Sequence, residues 1–579
     1  MDEWRIYGKK ADFNRIAREF GISPVTARVI RNRDMCDMEE IRDYLYGTKE
    51  QLYSPFLMKD LEKACDILLE KIREGRKLRV AGDYDCDGVN ATYILLTALK
   101  RLGGDVDFVI PDRIHDGYGI NEEIVKKAAA EGVDTLLTCD NGIAATDQVL
   151  LAGQLGMTVI VTDHHDIPER GVPLAAAVVN PKQQDCPYPF KGLCGAAVAF
   201  KLVQAMYEKG GIPAEEAFAY LEFAALATVA DVMELKGENR ILVREGIARL
   251  RRTENIGLNA LIQACKLKKE AIVSYHLGFV IGPCLNASGR LETAALSLEL
   301  LMCTDENRAQ TVAENLRQLN ETRKDMTVKG TEEAVALIER EHMENDPVLV
   351  VYLPDCHESI AGIIAGRLKE KYHRPSIVLT DSLEGVKGSG RSIEAYHMFH
   401  GLQQSAEWLD KFGGHPMAAG LSLKKENVAP FRQSLIAQAG LKEQDFVKRI
   451  WLDMELPFAW VSMGLVEELK ALEPFGNGNS RPLFGCRQVA VRRGRVIGRN
   501  ANVLRLSITD AQGTQAEGVW FGDTEELIHT WAEKYGQAQV ENMLRGYQND
   551  IRFTIAYYPT INEYAGRQTL QITIQNFIA

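Results

Sequence analysis

From Leu61 onward, short apolar runs alternate with longer amphipathic stretches. The runs Leu78–Gly82, Val106–Pro111, Thr135–Thr138 and Thr158–Thr162 read as strands. The stretches Leu61–Glu74, Ala91–Leu102, Glu122–Glu131 and Asp147–Leu155 read as helices. A further apolar run, Ala175–Val179, ends at Asn180-Pro181, and Glu215–Met233 reads as helical. Repeated β–α units of this length predict a parallel sheet with helices on both faces. Residues 305–344 are rich in Glu, Arg, Leu and Ala and lack proline, which predicts one or more long helices joining two domains. A second α/β pattern follows: strand Val348–Tyr352, helix Ile360–Tyr372, strand Ser376–Leu379. From about Leu472 a turn-rich linker leads into short alternating strands that predict a small β-barrel of the oligonucleotide-binding kind. Residues 1–50 read as a helical, polar segment. The expected divisions are 1–50, 51–303, 304–345, 346–447 and 448–579.

Composition narrows the class without changing that outline. A chain of 579 residues exceeds what one hydrophobic core supports. No run of eighteen apolar residues suggests a membrane span, and Met1-Asp-Glu-Trp-Arg5 lacks a secretory pattern. Eleven cysteines without a C-x-x-C pair argue for reduced thiols, hence a cytoplasmic protein without membrane attachment. The net charge of −12 works against a nucleic-acid partner overall. Yet Arg487, Arg492, Arg493, Arg495, Arg499 and Arg505 fall in a stretch without any acid, so the barrel is expected to carry a basic face. That face reads either as a strand-binding surface or as a solvated one.

Polar chemistry gathers at the strand ends, where ligands bind in open α/β sheets. In Asp83-Tyr-Asp85-Cys-Asp87-Gly88, three carboxylates at alternate positions repel one another unless a cation neutralises them, which points to a divalent-metal site. An EF-hand loop is excluded: its twelfth position is Ile94, and the motif follows a strand. A solvent-exposed acidic turn is the bland alternative. Later strands end in Arg113 with Gly117-Tyr-Gly119, in Asp140-Asn-Gly142, and in Asp163-His164-His165-Asp166. Asp140 alone reads equally as a helix cap, and Asp231, ending an apolar run, reads first as one. Several carboxylates with two imidazoles at one rim suit Mn²⁺ or Mg²⁺. Gly388-Ser389-Gly390-Arg391-Ser392 and Gly413-Gly-His415-Pro416 read as an anion nest for phosphate or as glycine-rich turns. No phosphate-binding G-x-x-x-x-G-K-[ST] loop and no nucleophilic Ser or Cys motif is present.

In this order the motifs resemble those of the DHH phosphoesterase superfamily, with Gly388–Arg391 and Gly413–His415 resembling its associated DHHA1 domain. With Leu472-Glu-Pro-Phe-Gly-x-Gly-Asn479 and the basic barrel, residues 45–579 resemble the RecJ family of 5′→3′ exonucleases specific for single-stranded DNA. The resemblance implies a parallel-sheet DHH domain, a long connecting helix, a smaller α/β DHHA1-type domain and a C-terminal all-β OB-fold domain. By similarity Asp85, Asp87, Asp140, His164 and Asp231 ligate two Mn²⁺ or Mg²⁺ ions, with Asp140 and Asp231 bridging; Asp83 is a ligand or a supporting acid. His165 faces the scissile phosphate and Asp163 orients the imidazoles. Ser389 and Arg391 correspond to a clamp for the 5′-terminal phosphate, with Arg113, Arg290 and His415 as further phosphate groups. Arg492, Arg493 and Arg495 are assigned to strand binding. The same resemblance implies phosphodiester hydrolysis in DNA repair and recombination by a monomer, with a single-strand-binding protein and a RecQ-type helicase as partners. One position departs from the pattern: Cys284 stands where relatives commonly carry Arg. Two alternatives are a phosphodiesterase for short oligonucleotides or cyclic dinucleotides, disfavoured by the barrel, and a non-catalytic replication scaffold, disfavoured because every ligand position is filled.

Overall fold

The computed structural model describes residues 3–383, 385–498, 500–564 and 566–578. The chain folds as two compact units, one of residues 52–234 and 238–448, the other of residues 1–51, 235–237 and 449–579.

In the larger unit, five parallel strands lie in the order Asp105–Val109, Lys77–Ala81, Thr135–Cys139, Thr158–Thr162, Ala177–Val179. The strands read as nearly unbroken apolar runs because both faces are covered. Leu136, Val159 and Val161 pack on one face against Ile124, Val125 and Ala128 of helix Glu122–Ala130 and Val149 and Ala152 of helix Thr146–Gln154. By alternation Val80, Leu137 and Ile160 turn to the other face, where they are fully buried. Helices Leu61–Arg73, Cys86–Arg101 and Gly195–Gly210 lie against that side.

Helix Glu306–Arg340 runs 35 residues, about 52 Å at 1.5 Å per residue. It opens on Asp305, whose carboxylate accepts from Arg308 N at 2.7 Å. Gly330 lets it approach Ile364 on helix Glu358–Tyr372. The following five-stranded sheet has the order Lys411–His415, Ala418–Leu423, Gly385–Arg391, Ser376–Ser382, Leu349–Tyr352; only the last pair is parallel. Gly388–Arg391 and Gly413–His415 therefore lie in strands. Neither forms the turn or the anion nest that their glycines suggested, because inter-strand pairing holds the backbone extended through Gly388–Arg391.

In the smaller unit, strands Phe484–Ile497, Val503–Thr509, Gln515–Phe521, Arg567–Ile578 and Arg552–Tyr564 pair in a cycle that closes through the first and last, forming a barrel. Two helices, Thr524–Tyr535 and Gln537–Arg545, are inserted among the strands, where the sequence pattern suggested strands alone. Residues 1–50 are not a separate segment. Strand Glu3–Ile6 pairs in parallel with Arg449–Leu452, and Ile16, Val29, Ile30 and Ile41 share one core with Phe484, Leu504 and Tyr557. Buried Arg33 adds two hydrogen bonds to Asp453, at 2.8 and 3.1 Å.

Candidate active site

The first acidic motif is organised by the start of helix Cys86–Arg101, which begins five residues earlier than its apolar pattern suggested. Asp85 is the N-cap, its Oδ1 accepting from Asp87 N at 2.9 Å and Gly88 N at 3.0 Å. Asp87 sits in the first turn, and its two oxygens accept from Gly195 N and Ala196 N, both at 2.7 Å, at the start of helix Gly195–Gly210. Asp83 ends the strand side of the turn. A side chain on Gly88 would collide with the Asp83 carbonyl oxygen at 2.5 Å, so the motif's glycine lets the turn fold back on itself.

Asp140 follows the neighbouring strand in a left-handed conformation, φ +61°, and caps no helix, since helix Thr146–Gln154 begins after Ala145. Asn141 anchors this turn by donating to Ala81 O and Cys139 O. Gly195 permits the close approach of the Asp140 side chain, which a Cβ there would meet at 2.6 Å. Asp231 does terminate helix Leu221–Ala230, but a carboxylate at the negative end of a helix is an unfavourable cap. It instead lies 3.8 Å from His164 Nε2, which is also 3.1 Å from Asp140 Oδ1 and 3.6 Å from Asp87 Oδ2. Potential ligand atoms fall within 4.8 Å of one another in three overlapping groups: Asp83, Asp85 and Asp140; Asp87, His164 and Asp231; Asp140, His164 and His165.

The electrostatics of this cluster call for positive charge. Burial, then the Asp85 charge, raises Asp87 to about 6. Burial, then Asp87, raises Asp231 to about 8. Asp83 and Asp140 are likewise pushed well up by burial and neighbouring carboxylates. Asp83 Oδ1 and Asp140 Oδ1 are buried without a hydrogen bond. Crowded carboxylates with orphaned oxygens, beside an imidazole, fit a divalent cation. His164 is lowered to about 3, first by burial and then by the charge of His165, so its imidazole is neutral and keeps a free lone pair.

His165 behaves oppositely. Burial alone would lower it, but the Asp163 hydrogen bond at 2.7 Å raises it to about 9. Asp163 also accepts from Ile143 N, His164 N and His165 N, which fixes the whole Asp-His-His turn. Burial would raise Asp163, yet the His165 partnership holds it below the ordinary range. Tyr118, which the sequence offered only within Gly-Tyr-Gly, donates to Asp140 O at 2.9 Å and reaches His165 Nδ1 at 3.2 Å.

Beside the acids opens a cavity of about 380 Å³ whose lining includes Tyr84, Arg113, Arg290, Lys387, Ser389 and Arg391. Tyr84 lies between Asp83 and Asp85, so this basic cavity and the acid cluster share one turn. Arg113 stacks over the Tyr84 ring at 4.0 Å. Arg290 donates to Ser359 O at 2.6 Å and is lowered to about 9 by burial and by neighbouring Arg113. Arg391 donates to Ser389 Oγ at 3.1 Å and Gly390 O at 2.8 Å. His415 is not part of this lining; it lies exposed at a strand end. Cys284 packs 3.7 Å from Cys265 and accepts from Asn320 Nδ2 at 3.4 Å, filling its position with buried thiol chemistry.

Arg492, Arg493 and Arg495 belong to the barrel unit. They are exposed on strand Phe484–Ile497, whose register shift between Val491 and Arg493 allows two successive arginines to face out. Arg492 Nε donates to Thr509 Oγ1 at 2.8 Å. The acid-free stretch is partly neutralised by other strands: Arg487 pairs with Glu455 at 2.5 Å and Arg505 with Glu517 at 3.0 Å. Arg499 lies outside the described residues.

Comparison with known proteins adds family relationships to this geometry. The DHH family N-terminal domain model matches residues 77–228, the DHHA1 domain model residues 345–441, and the RecJ OB domain model residues 452–576. The single-stranded-DNA-specific exonuclease RecJ of Bacillus subtilis is 34% identical over 578 residues, covering 99% of this chain and 70% of its own. The Escherichia coli protein of that name is 34% identical over 537 residues, 89% of this chain and 90% of its own. The crystal structure of Thermus thermophilus RecJ in complex with Mn²⁺ is similar with a TM-score of 0.83 at 27% identity, covering 100% of this chain and 79% of that one.

Proposed function

The chain belongs to the RecJ family of single-stranded-DNA-specific exonucleases, and from that premise we propose that it degrades single-stranded DNA from the 5′ end by metal-assisted phosphodiester hydrolysis. The observation that carries this reading is the adjacency of the acid cluster and the arginine-lined cavity across the single turn Asp83–Asp85.

In this reading Asp83, Asp85 and Asp140 hold one divalent cation, Mn²⁺ or Mg²⁺, and Asp87, His164 and Asp231 hold a second, with Asp140 close enough to serve both groups. Bound there, the cations supply Lewis-acid polarisation of the phosphate and a water of lowered pKa. The chain's own residues do the rest. Neutral His164 presents an imidazole lone pair. His165, fixed by its 2.7 Å hydrogen bond to Asp163, offers its imidazole to the phosphate where negative charge develops. Arg113, Arg290, Ser389 and Arg391 bind a terminal phosphate, and the strand end seated there sets the first cleavable linkage. The arginines of the barrel strand bind single-stranded DNA through its phosphates.

The test is degradation of 5′- and 3′-labelled single strands and duplexes with Mn²⁺, Mg²⁺ or EDTA. Metal-dependent release of label first from 5′-labelled single strands is the expected outcome. Release first from 3′ ends, or equal activity in EDTA, would overturn it.

A further inference from the structure

A stacked pair of exposed aromatic rings stands on a segment packed against the helix that ends before Asp231, and takes part in neither the metal group nor the arginine cavity. The turn Ser274–His276 runs into a π-helical segment, Leu277–Ile281, and then into helix Gly282–Leu291. Such π insertions recur at functional sites because they displace one residue out of helical register. Leu277 and Ile281 point inward and are fully buried. Two glycines seat the segment. A Cβ on Gly278 would meet Val229 Cγ1 at 3.2 Å, and one on Gly282 would meet Ala230 Cβ at 3.1 Å and Cys86 Sγ at 3.9 Å. The segment thus lies on the last turn before Asp231 and beside the first turn that carries Asp87.

On its flank, four residues apart, are Tyr275 and Phe279, 58% and 69% exposed. Their rings stack at 5.0 Å with an interplanar angle of 21°. Val232, next to Asp231, is 65% exposed at φ +58°, a strained conformation for a β-branched residue. Three apolar side chains are therefore exposed on segments whose backbones adjoin the turns carrying Asp231 and Asp87.

We propose that Tyr275 and Phe279 form a stacking platform for bases of the single strand beside the acid cluster. The inference rests on the nuclease reading and adds an interaction with the bases that none of the phosphate-binding groups provides. Parallel rings accept any base, since every base offers a π face, so the platform holds a strand without selecting its sequence. Because the two rings stack on each other, each keeps only its outer face, and the uncharged pair extends its stack by one nucleobase at either end.

The experiment measures binding of the full chain in EDTA, so that strands stay intact, to a fluorescent single strand and to the same strand with abasic positions near its 5′ end. Tyr275→Ala combined with Phe279→Ala should weaken binding to the ordinary strand about tenfold or more, at about 1–3 kcal/mol per stacked base. The same variant should bind the abasic strand as the native protein does, because the stacking it removes is with bases. Tyr275→Phe and Phe279→Tyr keep the rings and should keep the affinity. Thermal melting checks that each variant is folded. Equal weakening on both strands, or none on either, would overturn the platform while leaving the nuclease reading in place. Failure of the native protein to bind any single strand would overturn both.

Discussion

Replacing Arg391 tests the polarity of the enzyme more directly than any change to the acids. The Arg391 guanidinium carries five N–H donors, and Nη1 supplies the bonds to Ser389 Oγ and Gly390 O, at 3.1 and 2.8 Å. Nη2 and Nε are left for a ligand in the cavity. Burial lowers the pKa of this guanidinium, the signature of a cation short of solvent and of a counter-charge. A charge-assisted hydrogen bond to a terminal phosphate contributes about 1.5–3 kcal/mol. At about 1.36 kcal/mol per factor of ten, that is roughly a 10- to 150-fold preference for a 5′-phosphate over a 5′-hydroxyl. Arg391→Ala should erase most of that preference while changing cleavage of the 5′-hydroxyl strand far less. Gly362→Ala offers a second route to the same effect. Its Cβ would come within 2.7 Å of Ser389 Oγ and 2.9 Å of Arg391 Nη2, prying the clamp apart without removing either partner. The assay is kcat/KM on 5′-phosphorylated and 5′-hydroxyl single strands for native and variant proteins, read as a double-mutant cycle. A coupling near zero, with both strands equally impaired, would mean that Arg391 supports the fold and the terminal phosphate binds elsewhere.

Asp140→Ala should abolish cleavage with the fold retained, and near-native turnover at saturating Mn²⁺ would remove Asp140 from the metal group. Mn²⁺ should raise the melting temperature of the native chain, by about 2.7 kcal/mol of stabilisation at about one hundred times its Kd, and raise that of Asp231→Asn much less; an undiminished shift would return Asp231 to the role of a helix end. Removing the barrel would also strip the N-terminal helices of their shared core, so its arginines are better tested by Arg493→Glu with Arg495→Glu, which should flatten the salt dependence of long-strand binding by about 0.7 in log K per log salt for each phosphate interaction removed. An unchanged slope would make that face merely solvated. Glu222, which accepts from Thr253 Oγ1 at 2.7 Å, is raised by burial to about 7. Its contribution to stability is full below the unfolded value near 4.5 and is lost as pH rises through 7, about 3 kcal/mol in all. Glu222→Gln should flatten urea-unfolding stability across that window relative to the native chain, and an identical pH slope would refute this.

Much of the site was legible because its parts follow single strands. The runs ending at Ala81, Cys139 and Thr162 announced a parallel sheet, and parallel strands bring their carboxyl ends to one rim whatever the order in which they pair. Asp83, Asp85, Asp87, Asp140, His164 and His165 could therefore be grouped from spacing and chemical type. Local patterns also carried the long helix 306–340, since proline-free amphipathic sequence determines backbone conformation over that length.

What spacing could not convey is which distant elements touch. Asp231 looked like a helix end by itself; packing of its helix against Cys86–Arg101 is what sets its carboxylate near Asp87 and His164. Gly388–Arg391 read as an anion nest or a glycine-rich turn, and only pairing on both sides holds it as a strand. The arginines of the barrel looked unopposed until Glu455 and Glu517 arrived from other strands, and residues 1–50 looked separate until their apolar faces closed on the barrel core. No motif or period marked Tyr275 and Phe279, whose stacking and exposure only the fold shows. The reason is common to all of these. Periodicity and capping report the conformation and burial of a short stretch, whereas charge partners, strand pairing and the exposure of a given ring depend on residues far away in the chain that only folding brings together.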